Sequence, residues 1–270
     1  MCGLVSAHRR PVLKNRMPPA LQAIAAQALA ASAADGAAAY HLSSSAFACR
    51  TPRSWYVLDI EHDSYLRIDG ALFDSLLPLM QGCDRLARSR DDVSRPVPES
   101  TLELALQLEL RGILTTTGAG RPVSASAVGI PVQSLLPKSR VNPTWVTCAG
   151  AFFLACIRAD RALKNRTLAE NVRRLRERKQ VRATADFSLV RAAQLVASFD
   201  ALRPFYPRDY LCLFDSLALI EFLALYRLYP DWVFGVTDDP FQAHCWVQYG
   251  DCALNESIEF ASAYTPIMAV

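Results

Sequence analysis

The chain has little charge imbalance: 29 Lys and Arg stand against 26 Asp and Glu, a net of +3 in 270 residues. A nucleic-acid binder needs concentrated positive charge, so that class has little support and nucleic acid is not expected as a partner. Long apolar runs are also missing. Ala149–Ile157 and Leu217–Tyr226 are too short or too interrupted to span a bilayer. The opening residues, Met1 to Arg10, have no apolar stretch of the signal-peptide kind. The expectation is a soluble, cytoplasmic chain with no membrane insertion. No phosphate loop of the GxxxxGK[ST] kind is present, so any nucleotide requirement would come through a partner. Glycine is sparse, 11 residues against 16 prolines, which suggests stiff connections between compact units. The eight cysteines follow no regular spacing, and in a reducing compartment most read as small core residues.

With 51% hydrophobic and 20% charged residues, the chain can bury one large core or two modest ones. Residues 1–37 form an Ala-rich extension, to which no chemistry is assigned. Tyr40–Leu42 and Ala46–Cys49 read as a short first strand, and Trp55–Ile60 and Tyr65–Ile68 as a β-hairpin turning at Glu61–Ser64. Asp69-Gly70 leads into apolar residues at helical spacing from Ala71 to Met80. After a polar segment, Arg85–Pro98, a second helix is expected to start at Ser100 or Thr101 and to stop at Gly112. Residues 38–117 thus form a winged-helix-like unit with an exposed sheet edge. Residues 118–144, rich in Pro, Ser and Gly, read as a linker. Beyond it, 145–270 form a second domain opening with helices over Trp145–Lys164, Thr167–Lys179 and Asp186–Leu202. The basic run Arg173–Lys179 reads as a solvated helix face.

The informative stretch is Arg208–Leu219. Pro204 and Pro207 end the preceding helix, Asp209 is of a good capping type, and an apolar helix runs from Cys212 to Tyr226. A thiol in the first turn of such a helix meets unpaired backbone N–H groups, which favour the thiolate and can hold an oxyanion. A thiolate nucleophile needs an imidazole. Of the four histidines, His8 lies in the extension, His41 and His62 lie in the first domain, and His244 alone shares a domain with Cys212. His244 sits in a strand-like run, Ala243–Tyr249, followed by a turn at Gly250-Asp251 and a return strand, Cys252–Glu256. That hairpin brings Glu256, or Asn255 one register step away, beside the imidazole as the third member of a triad.

Two other uses of the cysteines are set aside. His244, Cys245 and Cys252 are poor zinc ligands, because neighbours on a strand point to opposite faces. Met1-Cys2-Gly3 resembles the start of an N-terminal-Cys amidotransferase, but Ala-rich helix follows where strands are required.

Residues 145–270 resemble the transglutaminase-like leader peptidases of lasso-peptide biosynthesis. The resemblance rests on Cys212-Leu213 with Ser216–Leu219, Phe234–Val236, Phe241–Val247, Leu254–Ser257 and Tyr264–Ile267, in that order. Residues 38–117 resemble the companion RiPP recognition element, a PqqD-like winged helix of three strands plus helices, through Tyr40–Leu42, Leu58-Asp59 and Tyr65–Gly70. The resemblance implies an α+β chain in which a leader-binding module is fused to a papain-like cysteine peptidase domain. It implies Cys212 as nucleophile, His244 as general base and acid, and Glu256 as third member, with no metal and no cofactor. The family often has Asp where this chain has Glu256, a small residue at Cys245 and an acid at Gln248. Ser216 then reads as helix packing or support for the site.

The implied reaction is hydrolysis of the leader–core bond of a ribosomal precursor peptide. The core would pass to a macrolactam synthetase of the asparagine-synthetase-like kind. The leader would add as a strand along Tyr65, Leu66, Arg67 and Ile68. Two alternatives stand beside this: an acyltransferase using the same Cys and His, and a non-catalytic peptide-binding scaffold.

Overall fold

A computed structural model describes residues 40–80, 98–116, 120–123, 126, 128–136, 143–182 and 187–270. The extension at 1–37 and most of the polar segment lie outside the described residues. The chain divides into two compact units between Ala125 and Ser126, within the stretch read as a linker.

In the first unit, β2 (Ala46–Arg50), β3 (Ser54–Asp59) and β4 (Ser64–Asp69) form an antiparallel sheet in that order. The expected single first strand is in fact two. Ala46 N–H bonds the Ser43 carbonyl in a turn, and β1 (His41–Leu42) pairs with β5 (Leu114–Thr115) in a separate ribbon. In the β3–β4 hairpin Trp55 faces Ile68 and Val57 faces Leu66, and all four side chains enter the core. The Asp69 carboxylate accepts the N–H groups of Ala71 and Leu72 and starts α1 (Gly70–Leu76). Pro78 has no N–H to continue the ladder, so the chain tightens into a 3₁₀ turn at Leu77–Leu79 instead of remaining α-helical to Met80. Helix α2 (Glu99–Leu110) begins slightly earlier than expected, with Pro98 at the cap position. Thr101, fully buried, bonds the Ser75 hydroxyl at 2.6 Å instead of capping. Gly112, at φ +70°, takes the left-handed conformation that closes the helix.

Among the described residues the segment 65–68 belongs to the edge strand, β4. Leu66 and Ile68 are buried in the core, so their side chains are not free to form pockets for a docking peptide. The edge offers backbone, half-buried Tyr65 and exposed Arg67, whose Nε donates to Ser54 Oγ at 2.8 Å.

The second unit carries β6 (Gln133–Ser134), α3 (Ala149–Asn165), α4 (Leu168–Arg182), α5 (Leu189–Leu202), α6 (Cys212–Leu225), β7 (Asp231–Asp238), β8 (Phe241–Tyr249), β9 (Cys252–Ala253), α7 (Ile258–Ala261) and β10 (Thr265–Ala269). The sheet order is β10-β7-β8-β9-β6, with β6 parallel to β9. The stretch read as linker therefore supplies an edge strand, and at its other end Val123 enters the first unit's core. Helix α6 is apolar on almost every face and packs against α3, α5 and the sheet. The basic run is only partly a solvated face. Arg178 donates to Glu221 Oε2 at 2.9 Å, Arg174 lies 3.9 Å from Glu221 Oε1, and Lys179 pairs with Asp231. Because Glu221 is buried on α6, the two arginines anchor α4 to the central helix, and Lys179 ties it to β7. Among the described residues no helix is long and apolar enough to cross a membrane.

Candidate active site

The loop from Arg203 to Leu211 delivers the chain to Cys212, and one buried cation holds it. Arg203 donates Nε to Asp215 Oδ1 at 2.5 Å, Nη1 to the Tyr206 carbonyl at 3.2 Å, and Nη2 to the Arg208 and Asp209 carbonyls, both at 3.0 Å. Its guanidinium also lies 4.3 Å from the Tyr210 ring centre. Asp209 is not the cap of α6. The cap position is Leu211, and no side chain bonds the helix amides there. Cys212 is thus the first helical residue, in a turn whose N–H groups have no carbonyl partner within the helix.

The sheet presents His244 to this helix end. Strand β8 pairs with β7 from Phe241 to Gln248, but with β9 only at Gln248 and Tyr249. Among the described residues no strand pairs with the β8 edge nearer His244, and the start of α6 packs there. The Cys245 N–H hydrogen-bonds to Cys212, and two residues on, the Val247 N–H donates to Asn255 Oδ1 at 2.7 Å. Asn255 therefore satisfies backbone. It is Glu256 that reaches the imidazole, with Oε2 2.9 Å from His244 Nε2, while its Oε1 accepts the Ser257 N–H at 3.0 Å. With Nε2 so engaged, Nδ1 is the ring nitrogen left for the hydrogen bond between His244 and Cys212. The structure brings Cys212, His244 and Glu256 together and leaves Asn255 outside the chain of contacts.

The three groups set one another's charge. Cys212 is brought down to about 4, first by its hydrogen bond with the Cys245 thiol, against the opposing effect of burial, and then by His244 and the Cys245 N–H. Burial by itself would lower the imidazole. Hydrogen bonds and negative charge from Cys212 and Glu256 outweigh it and raise His244 to about 9. Between those limits the resting pair is thiolate and imidazolium. Cys156, buried in α3, is pushed up to about 12 chiefly by burial. Cysteines on neighbouring apolar helices thus take opposite states.

Aromatic rings close around the imidazole. The Phe260 ring meets it edge-on at 5.0 Å, Tyr264 lies at 5.2 Å and Trp246 at 6.0 Å, and His244 is 6% exposed. Gly235 sits directly across from His244, and a Cβ there would lie 2.9 Å from both the Trp246 ring and Tyr264. On the other face Ser216 Oγ donates to the Cys212 carbonyl at 2.6 Å, accepts Trp232 Nε1 at 2.8 Å and lies 3.4 Å from Cys245 Sγ. His244 and Cys245 do point to opposite faces of β8, yet both reach Cys212, because Cys212 lies against the strand edge. Among the described residues no cluster of His, Cys, Asp or Glu is arranged to hold a metal ion.

Comparison with known proteins agrees with this geometry at the level of the superfamily. Residues 153–269 match the sequence model of the transglutaminase-like superfamily, and the second unit carries that domain. No curated protein and no solved structure matches the chain. From the sequence, Cys245 is weighed only as a zinc ligand and as a departure from the family's small residue, Tyr264 enters only as part of the resemblance, and Arg203 and Phe260 are given no place at the site. Cys245 and Trp246 directly follow His244, so strand alternation alone signals that one lines each face beside it. Nothing in the local sequence marks Arg203, because three of its acceptors are main-chain carbonyls and the fourth, Asp215, lies beyond the loop on α6.

Proposed function

We propose that the chain is a leader peptidase of lasso-peptide maturation, which cleaves a ribosomal precursor between leader and core by thiol catalysis. The observation that carries this reading is the thiolate of Cys212 at the first position of α6, paired with an imidazolium that Glu256 holds in place. In the reaction the Cys212 sulfur attacks the scissile carbonyl, and the oxyanion is received by first-turn N–H groups of α6. His244 gives its proton to the departing amine, which leaves as the N-terminus of the core. The leader remains as a thioester on Cys212. Neutral His244 then takes a proton from water, the hydroxide attacks the thioester, and the leader acid and the thiolate are released.

The first unit supports the peptide half of the reading. Its β4 is an edge strand, and an extended leader can add there through main-chain hydrogen bonds, beside Tyr65 and Arg67. A leader bound to one unit raises the local concentration of its scissile bond for the other. The freed core amine would then go to a macrolactam synthetase. The test is incubation of the full chain with the precursor peptide encoded beside its gene, followed by mass spectrometry. Two fragments summing to the precursor plus one water are expected, and none with Cys212→Ala. Addition of an amine without cleavage would make the chain an acyltransferase. Unchanged processing by Cys212→Ala would end the catalytic reading.

A further inference from the structure

Cys245 stands against the proposed nucleophile, and although its thiol and N–H favour the Cys212 thiolate, its own sulfur makes and breaks no bond in the peptidase reaction. Its side chain and that of Cys212 share a hydrogen bond, and its sulfur is 3.4 Å from Ser216 Oγ, which itself receives the Trp232 indole N–H. The two thiols lie on different elements, Cys212 starting α6 and Cys245 in the middle of β8, with 32 positions between them in sequence by their residue numbers. All six cysteines among the described residues are free, and Cys212 has another cysteine as a hydrogen-bond partner. Cys245 is 3% exposed and Cys212 8%, so Cys212 is the sulfur that meets the peroxide first.

We infer that Cys212 and Cys245 form a reversible oxidation site, in which a peroxide converts the pair to a disulfide that switches the peptidase off and shields its nucleophile. The inference rests on the reading of Cys212 as a reactive thiolate. The Cys212 sulfur attacks one peroxide oxygen, the O–O bond breaks, and the leaving oxygen departs as water or an alcohol after taking a proton. Cys212 is then a sulfenic acid. The Cys245 sulfur attacks Cys212, its proton goes with the departing hydroxide as water, and the S–S bond forms. Two thiols are oxidised by two electrons and one peroxide is reduced. Oxidation of Cys212 has by then removed the negative charge that opposes ionisation of Cys245. A low-molecular-weight thiol reverses the change by exchange, returning both cysteines. Without Cys245 the sulfenic acid is exposed to further peroxide and proceeds to sulfinic acid, which thiols do not reduce.

The full chain is treated with hydrogen peroxide, then with dithiothreitol, and Cys212 is counted as the fraction carboxamidomethylated by iodoacetamide. Before reduction, peptide mass spectrometry is expected to find Cys212 linked to Cys245. After reduction the wild type is expected to recover most of its alkylatable Cys212, and Cys245→Ala at least about fivefold less, with sulfinic acid in its place. Cys245→Ser retains a polar group beside Ser216 and serves if Cys245→Ala does not fold. A Cys212 that goes to sulfinic acid equally fast in wild type and variants, or that bonds a different cysteine, overturns the inference. Alkylation is read without substrate, so failure here is distinct from failure to cleave the precursor.

Discussion

Glu256→Gln isolates the role of the third residue. The substitution keeps the side chain's size and one carbonyl oxygen, and removes the charge that faces His244 Nε2 at 2.9 Å. A hydrogen bond to a charged partner contributes about 1.5–3 kcal/mol. The Glu256 side chain is 20% exposed, and solvent weakens the contact toward the lower figure. A pKa unit corresponds to about 1.4 kcal/mol, so His244 should titrate about one unit below its present value of about 9. The same energy, if it also orients the ring for proton transfer, is worth about tenfold in turnover. The direction follows from the sign of the charge: with the anion gone the imidazolium is less favoured, and activity is lost at lower pH as alkalinity rises. The assay is an NMR titration of the imidazole C–H resonances of the full chain, with His244 assigned by its disappearance in His244→Ala. Four histidines make the spectrum tractable. A His244 midpoint that stays in place in Glu256→Gln would refute the reasoning, because the carboxylate would then have no hold on the ring.

Asn255→Ala should behave differently, costing about 1–3 kcal/mol in urea unfolding as the Val247 N–H loses its acceptor, with the pH limits of activity unmoved. Gly235→Ala places a methyl group 2.9 Å from both the Trp246 ring and Tyr264, so stability should fall by about 1–3 kcal/mol and turnover with it, since both residues pack on His244. For the unaltered chain, the profile of kcat/KM against pH should be a bell. Its acid limb lies near 4, where the thiolate takes a proton, and its alkaline limb near 9, where the imidazolium loses one.

What was legible in the sequence was whatever local pattern decides. The β3–β4 hairpin announces itself by alternation and its polar turn, α1 by Asp69 at its cap, and α6 by prolines followed by a mostly apolar run. Cys212 and His244 could be paired by elimination, since one histidine shared the domain. The choice between Asn255 and Glu256 could not, because it depends on where the return strand ends. Strand pairing stops at Ala253, the Leu254 N–H still bonds the Val247 carbonyl, and beyond it the shorter Asn255 amide reaches back to Val247 while the longer Glu256 carboxylate reaches the ring. Long-range pairing likewise decides where part of the 118–144 stretch goes, although the boundary between the units does fall within it. Gln133 and Ser134 have no strand character of their own and become β6 only because β9 offers an open edge. The same holds for the basic run on α4, whose inward members are identified by a glutamate some forty residues away, at Glu221.

Thiol catalysis at this site depends on the ionisation state of one sulfur, that of Cys212. The direct measurement is the rate of Cys212 alkylation by iodoacetamide as a function of pH in the full chain, with the modified peptide counted by mass spectrometry. A rate that is already at its plateau by pH 6 and falls only as pH approaches about 4 is the predicted result. A rate that climbs toward pH 9, as for an ordinary thiol, would contradict it.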